Sequence, residues 1–196
     1  MTTENGKRVA AGLLLLMHGC GLFEPRPAEN PTVAGGQFRP ATEPLIVIAN
    51  LEQAIDQKNV ANYIQCFSDP ITGPQPFTFL PSSEGTAQYS VVFLTWTTTE
   101  EQAYFQNMSV RTTSTSASNL ALRERSFLLS GDSALAEYDY TLIFEHTAAG
   151  FPKIAQGNLQ FALARNNSNI WSIYRWADFK TTNDVTWSLF KGKFSN

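Results

Sequence analysis

The stretch Ala136-Glu137-Tyr138-Asp139-Tyr140-Thr141-Leu142-Ile143-Phe144-Glu145 decides the fold class. Ala136, Tyr138, Tyr140, Leu142 and Phe144 alternate with Glu137, Asp139, Thr141 and Glu145, the period of two that gives a strand one buried and one wet face. Working outward, Gly131-Asp132 marks a turn from a preceding strand over 120–129, and Ala149-Gly150 with Pro152 marks a turn into the next. There Leu159, Phe161 and Leu163 alternate with Asn158, Gln160 and Ala162, and Asn166-Asn167-Ser168-Asn169 ends the run before a fourth strand over 170–179. Short turns between alternating runs predict antiparallel neighbours.

Upstream the period changes to about 3.6. Leu45, Ile46, Ile48, Ala49, Leu51 and Ile55 recur at helical spacing, the mark of an amphipathic helix. A second helix is expected with Asn59 as its cap, Val60, Tyr63, Ile64 and Phe67 on its buried face and Asp69-Pro70 as its stop. Phe77 to Leu80 is a short strand candidate between prolines. Thr98 with Glu101 three residues on has the form of a capping box for a third helix carrying Ala103, Tyr104, Phe105 and Met108. The polar stretch 112–118 is a loop. Helices first and four long antiparallel strands after them predict an α+β domain with the helices on one face of a curved sheet.

In the last strand Trp171 and Ile173 share a face, but Trp176 has the other parity, which calls for a bulge or twist. Trp187 then folds back across the domain, and Arg175 and Asp178 pair with each other or satisfy backbone near the bend. Here the chain resembles the nuclear-transport-factor-two-like, or SnoaL-like, family of cone-shaped α+β domains over about residues 43 to 196. The resemblance is carried by Asn62-Tyr63-Ile64-Gln65-Cys66-Phe67-Ser68-Asp69, by Trp171-Ser172-Ile173-Tyr174-Arg175-Trp176-Ala177-Asp178 and by Thr186-Trp187-Ser188-Leu189-Phe190-Lys191-Gly192. It implies a cystatin-like cone opening into an apolar pocket, with Tyr138, Tyr140, Phe144, Phe161, Trp171, Arg175, Trp176 and Asp178 as candidate lining. It also implies dimerisation through the open sheet face, so a second copy is one expected partner.

In enzymes of that family, such as ketosteroid isomerase and scytalone dehydratase, a carboxylate or histidine works with tyrosines in proton transfer. Such chemistry needs a base held near the substrate with a shifted pKa. Tyr138 and Tyr140 point inward by alternation, whereas the carboxylates beside them, Glu137 and Asp139, have the opposite parity. His146 lies at a strand end before Thr147, Ala148, Ala149 and Gly150 and reads as a solvated turn residue. No catalytic set carries over residue by residue. The expectation is therefore a non-catalytic domain binding a small apolar ligand or an envelope protein, with an isomerase or dehydratase as the alternative.

The N-terminus speaks to location. Lys7 and Arg8, an apolar run from Val9 to Met17, and small Gly19 before Cys20 are similar to a bacterial lipoprotein signal peptide. The run is interrupted at His18 and is shorter than the about 20 apolar residues a spanning helix needs. The resemblance implies removal of residues 1–19 and acylation of Cys20 on both sulfur and amino group, enough chains for firm anchoring. An ordinary secretory signal cleaved near Gly19 or Gly21 is the alternative. Residues 20–42, with Pro25, Pro27, Pro31, Pro40, Gly35 and Gly36 and no apolar periodicity, read as a tether. The expected location is the cell envelope, lipid-anchored, and the outer membrane where the cell has one, since Gly21 rather than Asp follows Cys20.

Composition narrows the chemistry. Without residues 1–19 the chain keeps 12 basic and 16 acidic residues, a net charge of −4. Nucleic-acid binding needs a clustered basic face, and here Lys and Arg are scattered, with pairs such as Arg123 and Arg125 the closest in the folded part, so no nucleic-acid partner is expected. With Cys20 acylated, Cys66 has no disulfide partner and reads as a small buried hydrophobe. One histidine and one free cysteine exclude structural zinc. No glycine-rich nucleotide loop occurs, and no cofactor is expected. Asn107-Met108-Ser109 and Asn166-Asn167-Ser168 match a glycosylation acceptor pattern that a bacterial lipoprotein does not use.

Overall fold

The computed structural model describes residues 38–113, 115–182 and 185–195. The expected leader 1–19, the expected acylation position Cys20 and residues 21–37 of the expected tether lie outside the described residues, and residues 38–42 are not loose. From Phe38 the chain is pinned: the Asn50 side chain accepts from Arg39 N (3.2 Å) and donates to Arg39 O (2.8 Å), and Ala41 O accepts from Trp171 N (2.8 Å).

Helix α1 spans Pro44–Asp56, with proline in its first turn, where a missing N–H is free of cost. It buries Val47, Ile48, Leu51, Ala54 and Ile55 on one stripe. Lys58 at φ 53° turns the chain, and Asn59 Oδ1 accepts from Asn62 N (3.0 Å) to start α2, Val60–Ile64. A three-residue strand β1 (Thr78–Leu80), α3 (Ser83–Gln88) and a 3-10 turn at Val92–Leu94 follow. Helix α4 is Thr98–Ser109. Its capping box lies one residue earlier than the expected Thr98 and Glu101: Thr97 and Glu100 form it, with Thr97 N donating to Glu100 Oε2 (2.8 Å). That shift releases Glu101 onto the inner stripe with Tyr104, Phe105 and Met108, all buried.

The strands are β2 (Ser118–Ser130), β3 (Ser133–Phe144), β4 (Ile154–Arg165) and β5 (Trp171–Phe179), and α5 (Trp187–Phe194) ends the chain. Sheet order is β1-β5-β4-β3-β2. The four long strands are antiparallel as expected, but β1 adds a fifth, parallel to β5 with Phe79 beside Trp176, so the sheet is mixed. Gly131 at φ 57° begins the two-residue loop of the β2–β3 hairpin, where the left-handed region suits glycine. Two bulges re-aim the faces. The register of β2 and β3 slips at Arg125, and that of β4 and β5 at Tyr174, which is the parity change expected between Ile173 and Trp176. A bulge of this kind bends its strand.

The inner face carries Leu120, Ala136, Tyr138, Tyr140, Leu142, Phe144, Leu159, Phe161, Leu163, Ile173 and Trp176, and packs with α1, α4 and α5 into one core. The outer face is a ladder of polar pairs. Glu137 accepts from Ser126 (3.2 Å) and Gln160 (2.8 Å), while Asp139 receives Arg123, Arg125 and Asn158. The architecture is the cystatin-like α+β fold expected of the cone family.

Candidate functional site

The cone's interior is the site the sequence pointed to, and it is closed from within. Helix α5 lies over the inner face of β5 and β4 with Trp187, Phe190 and Phe194 fully buried. Trp187 packs edge-on against Trp176 (centroids 4.5 Å apart) and tilted on Tyr140 (5.4 Å). Edge-to-face aromatic pairs of this kind add to the burial of their large apolar area. Seven of the eight expected lining residues, Tyr138, Tyr140, Phe144, Phe161, Trp171, Trp176 and Asp178, are buried on this face. Arg175 is not there. It pairs with Thr78 and Ala162 on the outer side of the sheet and reaches Gln160 Oε1 at 3.5 Å, so the expected pairing of Arg175 with Asp178 does not occur.

The interior holds two carboxylates, Asp178, which was expected among the lining, and Glu101, which was expected at a helix cap. Asp178 stands opposite Leu159 in β4. Its Oδ1 accepts from the Tyr140 hydroxyl (2.8 Å), and its Oδ2 accepts from Ser188 N (2.7 Å) and Ser188 Oγ (2.5 Å). Tyr140 in turn accepts from Trp187 N (2.7 Å). Burial pushes the Asp178 carboxyl above the ordinary aspartate range, opposed by the Ser188 and Tyr140 hydrogen bonds and by the Lys191 charge. Burial and the Asp178 charge push the Tyr140 phenol well above 10. Gly157 makes this contact possible, because a Cβ there would lie 2.6 Å from Phe179 O and 2.9 Å from the Tyr140 hydroxyl.

The second carboxylate is Glu101 of α4, fully buried and ion-paired with Lys191 of α5, which is fully buried as well. Glu101 also accepts from the Tyr63 hydroxyl (2.5 Å) and from Trp96 Nε1 (2.6 Å). The Lys191 ammonium sits over four rings, 3.8 Å from the Trp176 centroid, 4.3 Å from Phe79, 5.1 Å from Tyr104 and 5.5 Å from Trp96. Ring faces attract a desolvated cation. Burial still dominates and lowers the amine to about 8, with Glu101 and Asp178 holding it from falling further. The Tyr63 phenol is driven well above 10 by burial and by the Glu101 charge. Tyr104, which accepts from Trp187 Nε1 (2.9 Å), behaves alike.

Chemically, the arrangement puts a carboxylate and a phenol within hydrogen-bond reach of each other. Every oxygen of Asp178 and Glu101 already accepts from this chain's own donors, and α5 supplies several of them. Three open grooves lie elsewhere. One of about 710 Å³ runs between the end of α1 and α4 beside Gln57, Lys58, Gln102 and Gln106. One of about 390 Å³ lies beside Gln65, Asp69 and Thr98, and one of about 160 Å³ lies on the outer sheet face beside Arg125, Glu137 and Phe179. None of these is lined by Asp178, Tyr140, Glu101 or Lys191.

His146 also departs from expectation. It is buried rather than solvated, with Nε2 against Pro152 O (2.9 Å) and Nδ1 accepting from Ala148 N (3.2 Å). Phe151, Phe190 and Phe194 pack around its ring. It holds the β3–β4 turn to α5. Cys66 is buried and free as expected, and burial raises its thiol.

No protein-family model matches the sequence, and no curated protein matches it. Similarity to solved structures is found at the level of fold. A conserved protein from Planctomyces limnophilus aligns at TM-score 0.53 with 12% identity, over 68% of this chain and 89% of that one. A protein with a cystatin-like fold from Nostoc punctiforme aligns at 0.45 with 14% identity, over 71% and 89%. A ketosteroid isomerase-like protein from Erwinia carotovora atroseptica aligns at 0.45 with 12% identity, over 70% and 92%. The likeness is one of fold, and the chain has the cone-shaped α+β architecture.

Proposed function

We propose that this chain is a non-catalytic binding domain of the bacterial cell envelope, lipid-anchored through Cys20 on the outer membrane where the cell has one. It meets a protein partner on its surface, a second copy at the outer sheet face included. The observation that supports this reading is the closed interior. A pocket that would take a small apolar ligand is filled by Trp187, Phe190, Lys191 and Phe194, and the two interior carboxylates are spent on intrachain donors. The outer sheet face, with its rows of charged and amide side chains, is a polar surface suited to matching a partner's charges.

An isomerase or dehydratase remains a second reading on one contact, that of Asp178 with Tyr140. It requires α5 to leave the cone so that a substrate takes the place of Ser188 and Trp187.

Mass spectrometry of the protein extracted from its native membrane tests the proposal. The expected species begins at an acylated Cys20, carries no small molecule, and after cross-linking of intact cells is joined to a protein through residues of the outer sheet face. An unprocessed Met1 species with a free Cys20 thiol overturns the anchor. A stoichiometric apolar molecule in the domain overturns the closed interior.

A further inference from the structure

The β2–β3 hairpin ends in an apolar tip that the core does not use. Leu128 and Leu129 are 64% and 59% exposed, and they point to opposite sides of the sheet. Leu129 pairs with Ala134 on the inner side and Leu128 with Leu135 on the outer. A tip bare on both sides is poorly shaped for lying flat on a protein surface, where one side faces the partner and the other faces water. It is shaped for entering a medium that surrounds it.

The tip's place in the fold says which medium. Asp132 in the turn pairs with Arg165 at the end of β4, Arg165 stands beside Trp171 at the start of β5, and Trp171 N donates to Ala41 O. Adjacent strands lie about 4.8 Å apart, so Ala41 and the hairpin tip share one end of the sheet. Leu45, half-exposed in the first turn of α1, belongs to the same end, because the far end of α1 meets Ser118 at the opposite end of β2. The chain therefore comes in alongside Asn50, half-way along α1, and at Ala41 reaches the end that carries the bare leucines. Only 17 residues separate Cys20 from Phe38, a span of at most about 65 Å even when fully extended. A tether of that length holds this end near its anchor at a local concentration of order millimolar.

We propose that the Leu128-Leu129 hairpin tip is a membrane-contacting wedge that inserts into the acyl boundary of the lipid surface bearing the anchor. This rests on the Cys20 anchor proposed above. The contact is apolar: Arg165, the nearby cation, is engaged by Asp132 and Trp171, and the chain after residue 19 carries net negative charge. Insertion is accordingly independent of anionic lipid. It sets the cone with its sheet upright on the membrane and α5 at the distal end, where Asn107 donates to Phe194 O beside the end of α4.

The test couples the chain beginning at Cys20 to maleimide-lipid vesicles through that thiol, Cys66 being buried, so the tether is reproduced whether or not a cell acylates it. A photo-reactive leucine analogue is placed at position 129. Controls carry it at 168, in the β4–β5 turn of the same end, or at 149, in the β3–β4 turn of the other. Phospholipid adducts are expected from 129 at about tenfold the yield from 168, the scale of one leucine's transfer out of water, and at background from 149. Yields are expected to be equal in phosphatidylcholine vesicles and in vesicles containing phosphatidylglycerol. Equal yields at 129 and 168, or a requirement for the anionic lipid, overturn the wedge. So does a protein rather than a lipid adduct at 129 in intact cells. A positive vesicle result with an unacylated native chain would instead overturn the anchor and leave the wedge standing.

Discussion

Two ends of one sheet invert the ordinary distribution of polarity. Where α5 closes the cone, two carboxylates and an ammonium lie in the core, while at the β2–β3 hairpin tip two leucines lie in water. The buried charges are tolerated because each has partners. Glu101 accepts from Lys191, Tyr63 and Trp96, and Asp178 accepts from Tyr140 and Ser188. The exposed leucines have no such account inside the domain. The contrast is one of satisfaction: the buried carboxylates and ammonium are each bonded within the chain, whereas the exposed leucines meet nothing that the fold supplies.

The sharpest way to break the comparison is to strip one charge from the closed end. Lys191→Met leaves Glu101 one donor short, and a hydrogen bond lost from a buried charged group costs up to about 3 kcal/mol, partly offset because burial already disfavours the ammonium. Urea unfolding of the variant should show a loss of that size. Lys191→Met with Glu101→Gln, which removes both charges while keeping an acceptor for Tyr63, should regain much of it. Loss from both variants alike would mean that packing rather than charge holds α5.

The same pair fixes the alkaline behaviour. Lys191 titrates at about 8 in the fold against 10.5 when free, so between those values the unfolded chain binds a proton that the folded chain has released. Stability therefore rises with pH across that window. The buried phenols act oppositely, because Tyr63, Tyr104 and Tyr140 are held well above 10 in the fold and ionise first in the unfolded chain. The unfolding free energy read from urea titrations should climb by about 2–3 kcal/mol between pH 8 and pH 10 and fall beyond it. The Lys191→Met variant should show only the fall.

A smaller effect tests how closely α5 is seated. A Cβ on Gly192 would overlap the Tyr89 ring, and one on Gly85 would overlap Ser188, so α3 and α5 cross at two glycines. Glycine to alanine inside a helix ordinarily stabilises by about 1 kcal/mol. Here Gly192→Ala should destabilise by about 1–3 kcal/mol, the usual cost of overpacking, as read from thermal unfolding. A gain would show that Tyr89 swings away and that the contact is loose.

How much of this was legible follows from the kind of signal each element carries. The four long strands, their turns and the change of face at Trp176 stand in the alternation itself. The strand β1 was visible as a fragment, but its parallel partner was not, because pairing across so long a connection leaves no local pattern. Glu101 reads as a cap residue by its distance from Thr98, although it stands three, four and seven residues before Tyr104, Phe105 and Met108 on the stripe that faces inward. Lys191 likewise stands four residues after Trp187 and three before Phe194, on the stripe those two share. Two opposite charges, each on the apolar stripe of its own helix, were the available sign of a buried pair. Asp178 was placed in the lining, but its inward aim depends on the bulge at Tyr174, whose position alternation alone leaves open. The burial of His146 came from α5 packing over a turn, a tertiary event without a local trace.

The smallest expected effect bears on the other end. Leu128→Ser with Leu129→Ser removes side chains that the core barely touches, and surface changes of this kind usually stay within about 0.5 kcal/mol per site. Thermal unfolding of the double variant should therefore match the unchanged chain closely, in contrast to any of the α5 variants. A loss of several kcal/mol would show that the leucines support the sheet end, packing over Ala134 and Leu135 more than their exposure suggests. They would then be structural in the same sense as Lys191. A near-neutral result leaves two adjacent leucines kept in water at no benefit to folding, which is what a surface reserved for contact outside the domain requires.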